Sequence, residues 1–436
     1  MIYQQTLAYI YSQLPMFSRI GASAFKADLN NTILLCEYLG NPQTKFRSVH
    51  VAGTNGKGST SHMLAAIFQS AGYKTGLYTS PHLKDFRERI KVDGEMIPEN
   101  YVVDFITRLK PLIEEASPSF FEITVAMAFE YFVQQQVDIA IIEVGLGGRL
   151  DSTNIITPEL SIITNISWDH MNMLGDTLEM IAAEKAGIIK PGIPVIIGDH
   201  QPAVAKVFEE KASRENAAIY FASEQRFVAD WKFEHRMLIA EVTLSHTDEK
   251  AFYPLDLTGI YQTKNLVTVL EAVKLLQLSG WVIPDSTVHH ALQHVKKLTG
   301  LHGRWETIHE HPRVILDVGH NEDGIKAIAD QLELTTYHHL RIVIGMVKDK
   351  EVDKVLSYLP KTATYYFTKA QIPRALPEDE LLEKGKAAGM EGQSYPDVNT
   401  ALKTALSHAD KDDVILVCGS VFVVGEVGPL TGLING

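Results

Sequence analysis

The sequence predicts an α/β protein of two unequal domains. The N-terminal one is built on a P-loop-type, mainly parallel sheet with a small antiparallel β meander, and the smaller C-terminal one is Rossmann-like α/β. Three observations carry this. Short, almost uninterrupted apolar runs recur, as strands covered on both faces require: SVHVAG (48–53), DIAIIEVG (138–145), LSIITNI (160–166), PVIIG (194–198), VILDVG (314–319), RIVIG (341–345) and DVILVCG (413–419). Helical patterns lie between them, which gives the repeating strand-helix order of a parallel sheet. A chain of 436 residues also exceeds what one core of about 250–300 residues holds, so more than one domain is expected.

Taken in order, MIYQQTLAYIYSQLPMF carries apolar residues at helical spacing, without the basic start and small-residue cleavage site of a secretory signal. STSHMLAAIFQSAG (59–72) opens on hydroxyl residues and ends on Gly72, and YQTKNLVTVLEAVKLLQLSG (261–280) has an apolar stripe closed by Gly280. RFVADWKFEHRMLIAEVTLSH, within 226–257, alternates like antiparallel strands and reads as a meander attached to the first sheet. KKLTGLHGRWE places the domain boundary near 298, giving residues 1–298 and 299–436.

Composition narrows the partners. Forty Lys and Arg against 53 Asp and Glu give a net charge of −13, which argues against a nucleic-acid or membrane-surface binder, so an anionic ligand has to be held by local positive groups. The two cysteines, Cys36 and Cys418, lie far apart, which excludes a disulfide scaffold and suits a reducing compartment. No segment approaches the roughly 20 apolar residues of a bilayer span, and a cytoplasmic location is expected.

Three constellations carry chemistry. TNGKGST (54–60) follows a strand and opens a helix, the setting in which glycines, exposed N–H groups and a lysine hold phosphate. Its spacing departs from the standard loop: Val51 stands where the first glycine belongs, Gly53 comes late, and Gly58 separates Lys57 from Ser59 and Thr60. Alone, it reads either as a phosphate loop or as a glycine-rich turn. In EVGLGGRLDSTN (143–154), the strand-end Glu143 suits Mg²⁺, a hard cation, or a structural turn equally well. In ITNISWDHMNMLGDTLEMIAAEKAGIIKPG (163–192), Asp169-His170 follows a strand and Glu184-Lys185 lies on a helix, which by themselves suit a cap and a solvated face.

Together with YTSPHL (78–83), FFEITVAMAF (120–129) and CGSVFVVGEV (418–427), these motifs resemble the folylpolyglutamate synthase and dihydrofolate synthase family, within the Mur ligase superfamily, in the family's order and almost throughout the chain. The resemblance implies an ATP-dependent amide ligase that adds L-glutamate to dihydropteroate, to the γ-carboxyl of folates, or to both, through an acyl phosphate. It implies that Thr54, Asn55, Gly56, Lys57, Gly58, Ser59 and Thr60 cradle ATP, with Asn265, Arg304, Asp317 and His320 as further ATP contacts. Ser80, Glu143 and His170 fall on the Mg²⁺-ligand positions, so the metal's hydroxyl ligand moves from the loop to Ser80. Lys185 falls on the position that is carbamylated in the family, and with Lys57, Glu143 and His170 makes up the catalytic set. The acceptor falls to Asp28, Leu29, Asn30, Phe121, Glu122, Leu150, Asp151 and Ser152, and Ser420 to the substrate side. The chain departs from the family in reading ADLNNTILL where a Gly-Leu-x-Arg-type pattern is usual, and GHNEDG around His320. Small-molecule partners alone, no nucleic acid, no membrane, and a monomer are implied.

Overall fold

The computed structural model describes residues 2–16, 21 and 28–430. By the density of its backbone contacts the chain forms two units, residues 1–256 with 261–301, and residues 257–260 with 302–436.

The first unit carries an eight-stranded sheet. Its strands are β1 (Ser48–Ala52), β2 (Thr75–Tyr78), β3 (Ile90–Val92), β4 (Glu95–Met96), β5 (Ile139–Glu143), β6 (Leu160–Ile163), β7 (Val195–Ile197) and β8 (Ile219–Phe221), in the spatial order 4-3-2-5-1-6-7-8. Six strands run parallel, and β3 and β4 fold back antiparallel at one edge. Strand β1 is wholly buried because it lies between β5 and β6, with Val51 level with Glu143 and Ala52 level with Ile163. From β1 the chain continues to one side and later returns to the other, and such a switch point opens a crevice at the carboxyl ends of the strands. The register therefore brings the ends of β2, β5, β1 and β6 side by side.

The helix Lys57–Ser70 is buried over most of its length against this sheet, as the Ala- and Met-rich run 63–68 requires. The helix Gln262–Leu278 packs on it and ends before Gly280, whose φ of 99° only glycine adopts readily. The meander forms as read, as β9 (Arg226–Glu234), β10 (Met237–Leu244) and β11 (Lys250–Leu255), but it is a separate three-stranded sheet and not an extension of the first. It is tied to the helix Gln262–Leu278 by a buried ion pair, Arg226 Nη2 to Glu271 Oε2 at 2.8 Å. Alternation revealed the strands, whereas their attachment depends on this tertiary contact.

The second unit carries a six-stranded sheet of β12 (Glu306–Glu310), β13 (Arg313–Leu316), β14 (Leu340–Ile344), β15 (Thr364–Phe367), β16 (Glu391–Ser394) and β17 (Val414–Cys418), in the order 12-13-17-14-15-16, with only β12 antiparallel. Residues Leu257–Ile260 belong to it. The Thr258 hydroxyl donates to the Trp305 carbonyl at 3.3 Å, and the Ile260 N–H to Gln331 Oε1 at 2.6 Å. Cys36 and Cys418 are free and buried, and no helix among the described residues is long and apolar enough to cross a membrane.

One core group makes the fold acid-sensitive. His50, in β1, is fully buried with Nε2 2.8 Å from the Thr153 hydroxyl, and burial together with the Lys190 charge pushes its pKa down to about 3. The unfolded chain takes up this proton near pH 6.5 and the native chain does not, so stability falls as the pH drops from about 6.5 toward 3. The expected loss from this residue between pH 7 and 5 is about 2 kcal/mol. Urea unfolding at both pH values checks it: His50→Gln should narrow the gap by about that amount, and an unchanged gap assigns the acid loss to other groups.

Candidate active site

Strand β1 ends at Ala52, and Gly53-Thr54-Asn55-Gly56 turns the chain into the helix Lys57–Ser70. Gly53 has a φ of 141° and Gly56 a φ of 87°. A Cβ on Gly53 would lie 1.9 Å from Thr164 Oγ1, and one on Gly56 would lie 2.2 Å from Asn265 Oδ1. The loop is thus pressed between the end of β6 and the helix Gln262–Leu278, and glycine is required at both positions. This accounts for the spacing: Val51 is strand interior, and the close approach falls two residues later.

The segment after β6 braces the loop. Thr54 N–H donates to the Asn165 carbonyl and Asn55 N–H to Asn165 Oδ1, both at 2.9 Å, while the Thr164 hydroxyl donates to the Asn55 carbonyl at 2.6 Å. Ser167 N–H donates to Thr54 Oγ1 at 3.0 Å. Sequence reasoning assigned no role to Thr164, Asn165 or Ser167; their position just past an apolar strand was the available signal. On the other side Gln262 Nε2 donates to Ser59 Oγ at 3.1 Å, and Gln262 Oε1 accepts from Asn265 Nδ2 at 2.8 Å, which joins Asn265 to the loop helix.

Two lysines meet on this loop. Lys57 Nζ donates to the carbonyls of Gly53 at 3.1 Å and Thr54 at 3.0 Å, and Lys185, at the end of the helix Leu178–Lys185, donates to the same Gly53 carbonyl at 2.9 Å. Lys185 is buried. That burial, and then the Lys57 charge, lower its pKa to about 7, against the opposing pull of Asp169 and Asp151. An amine in this state is half neutral near pH 7 and therefore nucleophilic, unlike a surface lysine.

Glu143 closes β5, and Ser80 N–H donates to its Oε2 at 3.0 Å. His170 has a φ of 50°, donates its N–H to Asp169 Oδ1 at 2.8 Å, and holds Nε2 3.8 Å from the same oxygen. Among the described residues no three His, Cys, Asp or Glu side chains gather as a metal cage. Ser80 and Glu143 offer the oxygen ligands that Mg²⁺ prefers, whereas the His170 imidazole is an unusual ligand for so hard a cation.

Among the residues expected to take the acceptor, Asp151 is buried and accepts from Leu146 N–H at 2.8 Å and from Thr153 N–H at 3.0 Å; burial raises its pKa while these bonds oppose the rise. Leu150 and Ser152 flank it. Phe121 lies so close to Gly145 that a Cβ there would fall 2.4 Å from the ring, and its ring centroid is 6.1 Å from that of Tyr78. Glu122 forms a capping box with Ser119, whose N–H it accepts at 2.6 Å, and it also accepts from Asn31 Nδ2 at 3.3 Å. Its carboxylate holds the start of the helix Phe120–Gln135 and joins it to the segment after Asp28-Leu29-Asn30, where Asp28 Oδ1 accepts from Asn30 N–H at 2.8 Å.

Within the second unit, Arg304, Asp317, His320 and Ser420 gather near one end of the sheet. Asp317 follows β13 and accepts from Trp305 N–H at 2.9 Å and Gly319 N–H at 2.8 Å, beside Arg304, whose Nη1 donates to the His302 carbonyl at 3.2 Å. His320 Nδ1 lies 3.0 Å from the Val318 carbonyl. Ser420 follows β17 and accepts from Phe422 N–H at 3.1 Å, while Gly419 N–H donates to the Gly319 carbonyl.

Comparison with known proteins gives the same outline. Residues 51–273 match the Mur ligase middle domain and residues 303–421 the Mur ligase, glutamate ligase domain. The chain is 32% identical to the dihydrofolate synthase/folylpolyglutamate synthase of Bacillus subtilis over 98% of each chain, and 31% identical to the folylpolyglutamate synthase of Lacticaseibacillus casei over the same shares. Among solved structures it is similar to Escherichia coli FolC in complex with DHPP and ADP, with a TM-score of 0.83 and 28% identity over 100% of this chain and 98% of that one. It is likewise similar to Mycobacterium tuberculosis folylpolyglutamate synthase complexed with ADP and AMPPCP, with a TM-score of 0.84 and 29% identity over 97% of each.

Proposed function

Because the chain belongs to the folylpolyglutamate synthase/dihydrofolate synthase family of Mur ligases, we propose that it joins L-glutamate to dihydropteroate or to the γ-carboxyl of a folate at the loop where Lys57 and Lys185 meet. The meeting of these two lysines on the Gly53 carbonyl is the observation that carries the reading. Phosphoryl transfer alone needs one loop lysine, and a second, buried and from another helix, with its pKa lowered to about 7, suits conversion to an anion beside the phosphates.

A carboxylate resists attack by an amine until one oxygen becomes a leaving group. An acceptor oxygen bonds the γ-phosphorus of ATP as the bond to the β,γ-bridging oxygen breaks, and ADP departs with the electron pair. The glutamate amine then attacks the acyl carbon, and phosphate leaves as the amide forms. Thr54 to Thr60 and Lys57 hold the phosphates, with Asn265 behind the loop, and charge-assisted bonds of this kind supply most of the stabilisation of such transition states. Ser80, Glu143 and His170 would hold Mg²⁺, which supplies charge neutralisation at the phosphate oxygens. Phe121 and Asp151 receive the acceptor in this reading, and Arg304, Asp317 and His320 are read as nucleotide contacts and Ser420 as a substrate contact. We read the enzyme as a cytoplasmic monomer.

Lys185 is the site of carbamylation in this reading. The neutral amine attacks the carbon of CO₂, an N–C bond forms, a proton leaves nitrogen, and the cation becomes a carboxylate-like anion. With a pKa near 7, occupancy is expected to rise between pH 6 and 8. Carbon-13 NMR with labelled bicarbonate checks this: a carbamate signal that grows across this range and is missing in Lys185→Gln is expected, and none at any pH would end the assignment.

The function itself is tested with purified protein, ATP, Mg²⁺ and labelled glutamate, offered dihydropteroate and tetrahydrofolate in parallel. Glutamate-dependent phosphate release with at least one is expected. Release with neither, but with a peptidoglycan nucleotide, would replace the folate reading by a cell-wall one, and phosphorylated acceptor that never gains glutamate would mark a kinase.

A further inference from the structure

Arg89 is a buried cation with no carboxylate in direct ion-pair contact among the described residues. It closes the turn Phe86–Arg89 that leads into β3, and its carbonyl accepts from Thr79 N–H at 3.0 Å, one residue before Ser80. The residue is 7% exposed. Its guanidinium Nε donates to His82 Nδ1 at 2.8 Å and its carbon lies 5.0 Å from the Phe120 ring centroid. Because Arg Nε can only donate, His82 Nδ1 carries no proton, so this partner is a neutral imidazole and not a counter-charge. Among the described residues no carboxylate lies within ion-pair distance of Arg89. The contrast with two other well-covered arginines is direct: Arg226 pairs with Glu271 at 2.8 Å and Arg341 with Asp413 at 3.0 Å.

Taking a guanidinium out of water is strongly unfavourable unless an anion compensates it. Core packing alone would not select Arg here, since a methionine fills similar space without the charge. The planar fork suits a carboxylate, which it binds through two parallel bonds. Its place decides which one. Arg89 lies beside the loop that carries Ser80, is electrostatically coupled to the Tyr78 hydroxyl and to Glu143 at the end of β5, and lies over the ring of Phe120, while the Tyr78 ring faces that of Phe121. An aryl carboxylate meets both features, rings for its flat part and a guanidinium for its charge.

We propose that Arg89 binds the reactive carboxylate of the acceptor and holds it for attack on the γ-phosphorus. This deepens the ligase reading and rests on it. The charge that Glu143 offsets only at longer range in the free protein gains a direct partner when the acceptor arrives, and keeps it as the carboxylate becomes an acyl phosphate. Arg89 thereby reads whether an acceptor ends in an acid, which the aromatic wall cannot do.

The test pairs protein and ligand changes. Affinities of dihydropteroate and of its carboxamide, which lacks only the negative charge, are measured for the parent, Arg89→Met and Arg89→Lys, each first shown by thermal unfolding and ATP binding to be folded. The parent is expected to prefer the acid at least tenfold, Arg89→Met to show no preference, and Arg89→Lys an intermediate one, with the Kd for ATP within about twofold throughout. In Arg89→Ala, added guanidinium is expected to restore part of the lost acceptor-dependent turnover. An acid preference that survives unchanged in Arg89→Met would overturn the proposal while leaving the ligase reading intact. A parent that ligates glutamate to neither folate acceptor would remove the reading beneath it.

Discussion

Lys185→Gln is expected to lower glutamate-ligating turnover about a hundredfold or more, because it removes the amine whose proposed carbamylation places an anion beside the loop. The amine donates to Gly53 in a buried place next to Lys57, and its depressed pKa means that folding takes an ordinary lysine into an unfavourable setting. The unfolded pKa lies near 10.5 and the folded one near 7, so between those values the unfolded chain binds the extra proton and stability rises with pH. At pH 7 the unmodified lysine therefore destabilises the protein. Lys185→Gln should unfold at the same temperature as the parent or higher while losing activity, the signature of a residue kept for function. Lys185→Arg separates the two possible roles, since it keeps a cation and cannot be carbamylated: it is expected to be as inactive as Lys185→Gln. Short carboxylates such as acetate are expected to restore part of the turnover of Lys185→Ala. Undiminished activity in Lys185→Gln, without carboxylate rescue, would remove Lys185 from the catalytic set.

Lys57→Ala is expected to lower turnover by a similar factor, about a hundredfold or more, as it withdraws a preorganised charge from the phosphates. In the free protein Lys57 is held on the Gly53 and Thr54 carbonyls, so the ammonium is positioned before nucleotide arrives. A second consequence separates this variant from simple loss of a ligand contact. The Lys57 charge is one cause of the low Lys185 pKa. Without it Lys185 moves back toward its ordinary value, less of it is neutral at pH 7, and more bicarbonate is needed to reach the same carbamate signal. Steady-state kinetics together with a bicarbonate titration at fixed pH check both effects. Near-parent turnover in Lys57→Ala would contradict the assignment of the loop.

The parts legible in the sequence are those whose cause is local. A strand buried on both faces has to be apolar, so β1, β5, β6, β7, β13, β14 and β17 could be read from composition, and the glycines at the ends of the long helices marked where they stop. The loop glycines were visible as well, although the reasons for their spacing, Thr164 and Asn265, lie elsewhere in the chain. What stayed hidden depends on tertiary placement. Lys185 reads as a solvated helix face until the fold buries it against Gly53. Glu122, expected on the acceptor side, also closes a capping box that the sequence did not announce. Arg89 sits in the charged run DFRERI, where nothing local tells a buried guanidinium from an exposed one.

The short segment Leu257–Ile260 has a consequence for how the protein is made. It belongs to the second unit, yet it is synthesised before the stretch Tyr261–Leu301 that completes the first. Its partners Trp305 and Gln331 leave the ribosome later, so the first unit is complete in sequence only after a piece of the second has been made, and that piece waits for its bonds until the rest of its unit follows. A second unit cut out at residue 302 would lack this piece, with Gln331 left holding an acceptor for a donor that was never supplied. The two units are successive in sequence only in outline, and their order of assembly is interleaved.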